Sequence, residues 1–187
     1  MWGPISPMED ERLTIRELRE YWDAVANLKG GERILAVQPR RLPPWDEMCE
    51  QLPWRTHSVN GGYFSQKNHG FCGVYRLFAI ETEGNFRTPT TFNRLCGPDP
   101  TGTLYIGHAG RLHDRLNQLR RSFMENRYER SHGVPNALKA LPGLVIPSSK
   151  IAIALMFTNR LPRMVESDLL RAYMNTYGDA PPLNYRI

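Results

Sequence analysis

Two apolar, β-prone runs, Phe71–Ile80 and Thr103–Gly107, are separated by residues 81–101, a stretch rich in Thr, Pro, Gly and Asn that ends in Gly97-Pro98-Asp99-Pro100. Parallel pairing of consecutive strands needs a crossover, usually a helix, and this connection contains no helical pattern. An antiparallel pair with an enlarged connecting loop is therefore expected. After it, Leu112, Leu116, Leu119 and Phe123 recur at helical spacing and place one buried stripe on a helix over about Arg111–Asn126. A short helical piece at Asn136–Leu141 ends at Pro142-Gly143, and Ile151–Phe157 is a third strand. Pro162 and Gly178 then bracket a helix, because proline suits a helix start and glycine its end. Pro181 to Tyr185 reads as an extended tail. The fold class expected is α/β of the α+β kind, a small three-stranded antiparallel sheet flanked by helices.

The first third is organised differently. Leu13, Ile15, Leu18, Tyr21, Trp22, Val25 and Leu28 form an apolar face on a helix from about Glu9 to Leu28, stopped by Lys29-Gly30-Gly31. Ile34–Val37 is a weak strand-like run, and Trp45–Leu52 has the length of one or two helical turns. Gly61-Gly62 and the polar residues up to Gly70 read as a connector. The expected division is a mainly helical N-terminal extension, 1–68, and a second domain, 69–187.

Charge divides along the same line. Residues 1–70 carry 9 Lys/Arg against 10 Asp/Glu, and residues 71–187 carry 15 against 9. Twenty of the 24 basic residues are arginine, the side chain suited to bidentate phosphate contact. A basic half points first to a nucleic acid partner. Three cysteines, Cys49, Cys72 and Cys96, with no CxxC spacing, argue against a disulfide framework and against structural zinc, leaving buried reduced thiols as the expectation. No apolar run approaches the roughly 20 residues of a membrane span, and no secretory pattern opens the chain. Cytoplasmic residence is expected, without membrane association and without an organic cofactor.

Candidate chemical residues sit within this layout. Tyr75 ends the triplet Gly73-Val74-Tyr75 in the first strand, and Tyr105 opens Tyr105-Ile106-Gly107 in the second. Two tyrosines on adjacent strands can share a face, though alone they would read as packing residues. Arg115 borders the buried helical stripe and could reach toward the sheet with its stem covered. Glu166 is expected in the first turn of the last helix, on the same face as Leu170 and Tyr173, where a carboxylate also gains from the helix dipole.

Taken in order, these triplets, Arg115 eight residues past Gly107, the late Glu166 and Asn184 near the end resemble the GIY-YIG nuclease family over about residues 71–185. The resemblance implies that Glu166 binds one divalent metal, Mg²⁺ with Mn²⁺ as a substitute. It further implies that Tyr75 or Tyr105 serves as general base or positions the attacking water, that Arg115 neutralises charge on the phosphoryl oxygens, and that Asn184 orders the site near Glu166. Two positions depart from the commoner pattern: His108 follows Gly107 where lysine is frequent, and Leu119 stands four residues past the arginine where histidine or tyrosine occurs. His108 and His132 are candidates for the missing polar role, since histidine exchanges protons near neutrality; His113 is expected at the surface.

The expected partner is double-stranded DNA. Arg111, Arg120, Arg121 and Arg127 on and after the Arg111 helix are candidates for phosphate contact, as are Arg87 and Arg94 in the loop 81–101, with Asn93 available to read base edges. The leading expectation is a restriction-like DNA endonuclease, which cuts both strands as a homodimer or by sequential nicking. A structure-specific repair or mobile-element nuclease and a non-catalytic DNA-binding protein are the alternatives.

Overall fold

In the computed structural model of the chain, the residues described are 12–28, 41–61, 71–124, 134, 138, 141, 143–159 and 161–184. The run Ile34–Val37, most of the connector up to Gly70, most of the piece at Asn136–Leu141, Arg127 and His132 lie outside them.

Helix α1, Ile15–Asn27, begins at Thr14, later than the apolar pattern alone places it. The reason is a capping box: the Glu17 amide donates to Thr14 Oγ1, and Glu17 Oε2 accepts from the Thr14 amide. Helix α2, Trp45–Gln51, follows the two prolines and buries Trp45 and Met48. Strand β1, Arg55–Ser58, comes next, followed by β2, Gly73–Ala79. Strands β3, Phe92–Arg94, and β4, Gly97–Asp99, form a small hairpin of their own within the stretch expected to be irregular. Gly97 opens β4 directly after the turn at φ +135°, a backbone conformation closed to most side chains. Strand β5, Thr103–Ala109, helix α3, Leu112–Met124, strand β6, Ile151–Phe157, and helix α4, Pro162–Tyr177, complete the order.

The main sheet has four strands in the order β1-β6-β2-β5, and every neighbouring pair is antiparallel. The expected β2–β5 pairing is present, but three strands are too few. Four-residue β1 pairs Arg55–Ser58 with Leu155–Ala152. Its sequence, Arg-Thr-His-Ser, has no apolar alternation because it is a short, half-exposed edge strand. Every residue of central β2 is buried, since both faces of the sheet are covered. On one face Val74, Ile106 and Met156 pack with α1, α2 and α4; on the other Tyr75, Leu77, Ile153 and Leu155 meet Leu112, Leu116 and Leu119 of α3. The segment before residue 68 thus supplies a strand and two helices to cores shared with the rest of the chain.

Helix α4 carries the expected Pro162 at its start and Gly178 at its end in the left-handed region, φ +85°. Three contacts fix it. Trp22 Nε1 donates to Asp168 Oδ2 at 2.9 Å, the Trp45 amide to Thr176 Oγ1 at 2.9 Å, and the Tyr173 hydroxyl to Asp99 Oδ2 at 2.9 Å. Asp99 is fully buried and also accepts from the Thr101 amide and hydroxyl. Beside it, Arg76 is buried with its guanidinium 4.6 Å from the Phe78 ring centroid and about 6 Å from Trp54 and Trp45, and it donates to Thr103 Oγ1 and the Thr101 carbonyl. Among the described residues no helix is long and apolar enough to cross a membrane.

Candidate active site

Strand β5 is the edge of the sheet opposite β1, and the candidate residues gather along its second half. Tyr75 lies opposite Gly107, and Tyr105 opposite Leu77, so both tyrosines stand on the face covered by α3. Their ring centroids are 5.9 Å apart, tilted by 40°. The glycines explain how this fits. A Cβ on Gly107 would lie 2.5 Å from Tyr105 Cε1 and 2.9 Å from Tyr75 Oη, so the rings occupy the space a side chain would fill. A Cβ on Gly73 would lie 2.3 Å from the Met156 carbonyl and 3.0 Å from Leu112 Cδ2, so α3 closes on β2 only over a glycine.

Arg115, one turn into α3, lies beside both phenols, and its Nη1 donates to Gln118 Oε1 at 3.0 Å. Burial raises the Tyr75 hydroxyl far above its ordinary pKa; Tyr105 adds to the rise and Arg115 opposes it. Burial also raises Tyr105, followed by the negative charge of Glu166, again against Arg115. Both phenols are therefore neutral near pH 7, suited to donating hydrogen bonds and poor as phenolate bases. Tyr105 thus lies within reach of Tyr75, Arg115 and Glu166, and Tyr75 within reach of Arg115.

Glu166 sits four residues past Pro162, beyond the first turn of α4, so the helix dipole alone does not account for it. Its Oε2 lies 2.6 Å from His108 Nδ1, a contact between half-exposed groups. His108 also lines, with Ala109, Arg111, Asp114, Arg115 and Gln118, an open depression of about 590 Å³. Asn184 braces the site from the edge. Its Oδ1 accepts from the Ile106 amide at 2.9 Å and its Nδ2 donates to the Ile106 carbonyl at 2.8 Å, while the Leu183 amide donates to the Leu104 carbonyl at 2.8 Å. Asn184 thus orders the Tyr105-Ile106-Gly107 backbone, and no hydrogen bond joins it to Glu166 among the described residues.

Other candidates are distributed less tightly. Arg111 is exposed and paired with Asp114 at 3.3 Å, and Arg121 is exposed. Arg120, expected in solvent, is half-buried with its Nε covered. His113 is not a surface residue: its side chain is 9% exposed and bonds to Asn117. Arg94 is held by Asp179 at 2.5 Å and by the Ala180 carbonyl, which leaves it 11% exposed. The hairpin bearing it bonds Tyr177 through the Cys96 amide, eleven helical residues or about 16 Å from Glu166. Arg87 is exposed on the same loop. The cysteines are free thiols as expected, but not buried ones: Cys49 and Cys72 are partly buried and Cys96 is exposed.

The polar contacts of Asp99, Arg76, Asp168 and the Trp22 indole have no counterpart among the sequence-based expectations. Asp99 followed at two residues by threonine is an Asx-turn signal. The Trp22–Asp168 bond spans 146 residues and leaves no local trace.

Among the described residues no group of three or more His, Cys, Asp and Glu could hold a metal ion. A closed zinc site is therefore not on offer, whereas Mg²⁺ is commonly held by one or two carboxylates, waters and substrate phosphate oxygens. Glu166, with Oε2 on His108 and Oε1 left to coordinate, fits that habit. No protein-family model, curated protein or solved structure matches the chain.

Proposed function

We propose that this chain is a divalent-metal-dependent endonuclease of the GIY-YIG kind that hydrolyses DNA phosphodiester bonds, restriction-like in action. The observation that carries the reading is the convergence of Tyr75, Tyr105, Arg115 and Glu166 at one end of β5, beside an open depression bearing His108 and Arg111. Hydrolysis of a phosphodiester requires a placed nucleophile and cations where charge accumulates. Arg115 supplies one such cation, its guanidinium pre-set by Gln118 and by the two phenols. Glu166 would hold Mg²⁺, which supplies Lewis-acid stabilisation of the phosphoryl oxygens when bound. His108, fixed through Nδ1 and facing the depression, is better placed than either buried tyrosine to take the proton from water. Tyr105, partly exposed and kept neutral, donates a hydrogen bond that holds water or phosphate in line, and the fully buried Tyr75 beside it fixes the Tyr105 ring.

The basic second half and the exposed Arg111 and Arg121 support a phosphate-backbone partner. One such site cuts one strand, so double-strand cleavage takes a homodimer or two successive nicks. A DNA substrate inside the cell makes the cytoplasm the compartment we assign.

The test is conversion of supercoiled plasmid to nicked or linear forms in Mg²⁺ or Mn²⁺, blocked by EDTA. Loss of cutting in Arg115→Ala is the expected result. A folded protein that binds DNA but cuts no DNA in either metal would instead be a binding module.

A further inference from the structure

We propose that Phe71, seated on Phe157, is a stacking platform for an unpaired nucleobase close to the bond being cut; the proposal rests on the nuclease reading and names its preferred substrate. Of the four large hydrophobic side chains exposed among the described residues, Phe71, Leu95, Val145 and Met174, Phe71 alone is aromatic, and it is 53% exposed. The ring is supported from beneath. Its centroid lies 5.4 Å from that of Phe157, and the Arg55 guanidinium lies 5.2 Å from the Phe157 centroid. The half-buried Phe157 ring thus lies between two exposed groups, the Arg55 guanidinium and the Phe71 ring.

The position relative to the site is fixed by the backbone. The Phe71 carbonyl accepts from the Leu112 amide at 2.9 Å, which ties it to the start of α3 next to Arg111, a wall of the depression. Phe157 and Ala109 both pair with Gly73 from opposite sides, so they are two strand spacings apart, about 10 Å. That is about three steps of a stacked DNA strand at ~3.4 Å each. A strand with its phosphate beside Arg115 and His108 would cross Arg111 and reach Phe71 within about three nucleotides.

The chemistry selects the occupant. A paired base has both faces covered by its neighbours, whereas an unpaired base offers a π face to an aromatic ring. The charges beside the platform, Arg55 and Arg111, match the phosphates on either side of such a base and would oppose an apolar protein surface. The ring is also far smaller than the several-hundred-Å² patches that mark protein docking. Within the nuclease reading, this favours DNA with a flap, fork or frayed end near the cut over blunt duplex, the substrate of the structure-specific nuclease rather than of the restriction-like one.

The experiment measures binding by fluorescence anisotropy in EDTA, with a flap-bearing oligonucleotide and a blunt duplex of the same sequence, for wild type, Phe71→Ala and Phe71→Trp. Because Phe71 is exposed, neither substitution threatens the fold. Wild type should favour the flap at least about five-fold, Phe71→Ala should lose that preference, and Phe71→Trp should keep it. Equal binding of the two DNAs by wild type, or an undiminished preference in Phe71→Ala, overturns the platform. Plasmid cleavage by the same wild-type preparation separates the two readings. A protein that cuts but shows no flap preference refutes the platform alone, and one that neither binds nor cuts DNA refutes both.

Discussion

His108 Nδ1 meets Glu166 Oε2 at 2.6 Å, joining the edge strand β5 to α4 across the mouth of the site. The contact leaves one carboxylate oxygen of Glu166 and the second imidazole nitrogen of His108 to act on whatever enters. Partners of this kind orient a metal-binding carboxylate, and removing them typically weakens metal binding or activity about 10–100-fold. His108→Ala should therefore lose Mn²⁺ affinity by that order, while His108→Asn, which keeps an N–H donor near the Nδ1 position, should recover much of it. Titration calorimetry with Mn²⁺ reads the difference directly, and unchanged affinity in His108→Ala would contradict the arrangement.

Gly107→Ala places a methyl group 2.5 Å from the Tyr105 ring and 2.9 Å from the Tyr75 hydroxyl. The rings must separate, and overpacking of this sort costs about 1–3 kcal/mol. A lower urea midpoint and a fall in cleavage rate are expected together. A variant as stable and as active as wild type would show that the tyrosine pair is not held by Gly107.

Trp22→Phe removes the one indole donor to Asp168, whose carboxyl is raised above its ordinary value by burial and held back by Trp22 and Arg171. Leaving that acceptor unpaired should cost about 1–3 kcal/mol at neutral pH. Because the raised carboxyl favours its protonated form, the loss should shrink as pH falls to the acid range, where Asp168 becomes neutral. Denaturant curves at neutral and acid pH supply the comparison; an equal loss at both would count against the charged pairing.

Alkali should unfold the protein in a particular way. Burial raises Tyr75, Tyr105, Tyr173 and Tyr177 above the ordinary tyrosine value, which is about 10. The unfolded chain releases these protons near pH 10 while the folded chain keeps them. Their stabilisation is thus complete below about pH 10 and is lost as pH climbs through the folded values. Absorbance of phenolate and far-UV circular dichroism, followed together, should show these four of the eight tyrosines ionising only as the fold is lost. Normal titration of all eight with the fold intact would be the contrary result.

What could be read in advance follows from the range of the forces involved. Strand β6 and helix α4 match their expected limits because a continuous apolar run, a starting proline and a closing glycine are local signals. The hidden strand β1 and the hairpin β3–β4 are short and polar, and only their partners make them strands. In the site, the order of Tyr75, Tyr105, Arg115 and Glu166 along the chain was legible, and the structure brings them together. The link from His108 to Glu166 and the brace from Asn184 to Ile106 were not, since each joins residues at least 58 positions apart. Arg94 shows the opposite error: an arginine in a loop looked available, but the turn after α4 supplies Asp179 to hold it.

Single-turnover cleavage of plasmid DNA in Mg²⁺ by wild type and by Glu166→Gln, both checked for folding by circular dichroism, addresses the central claim most directly. The glutamine keeps the size and one oxygen of Glu166 but not its charge, so cleavage should fall at least about 100-fold with DNA binding retained. Equal cleavage by the two proteins would remove Glu166 from the chemistry and with it the proposed active site.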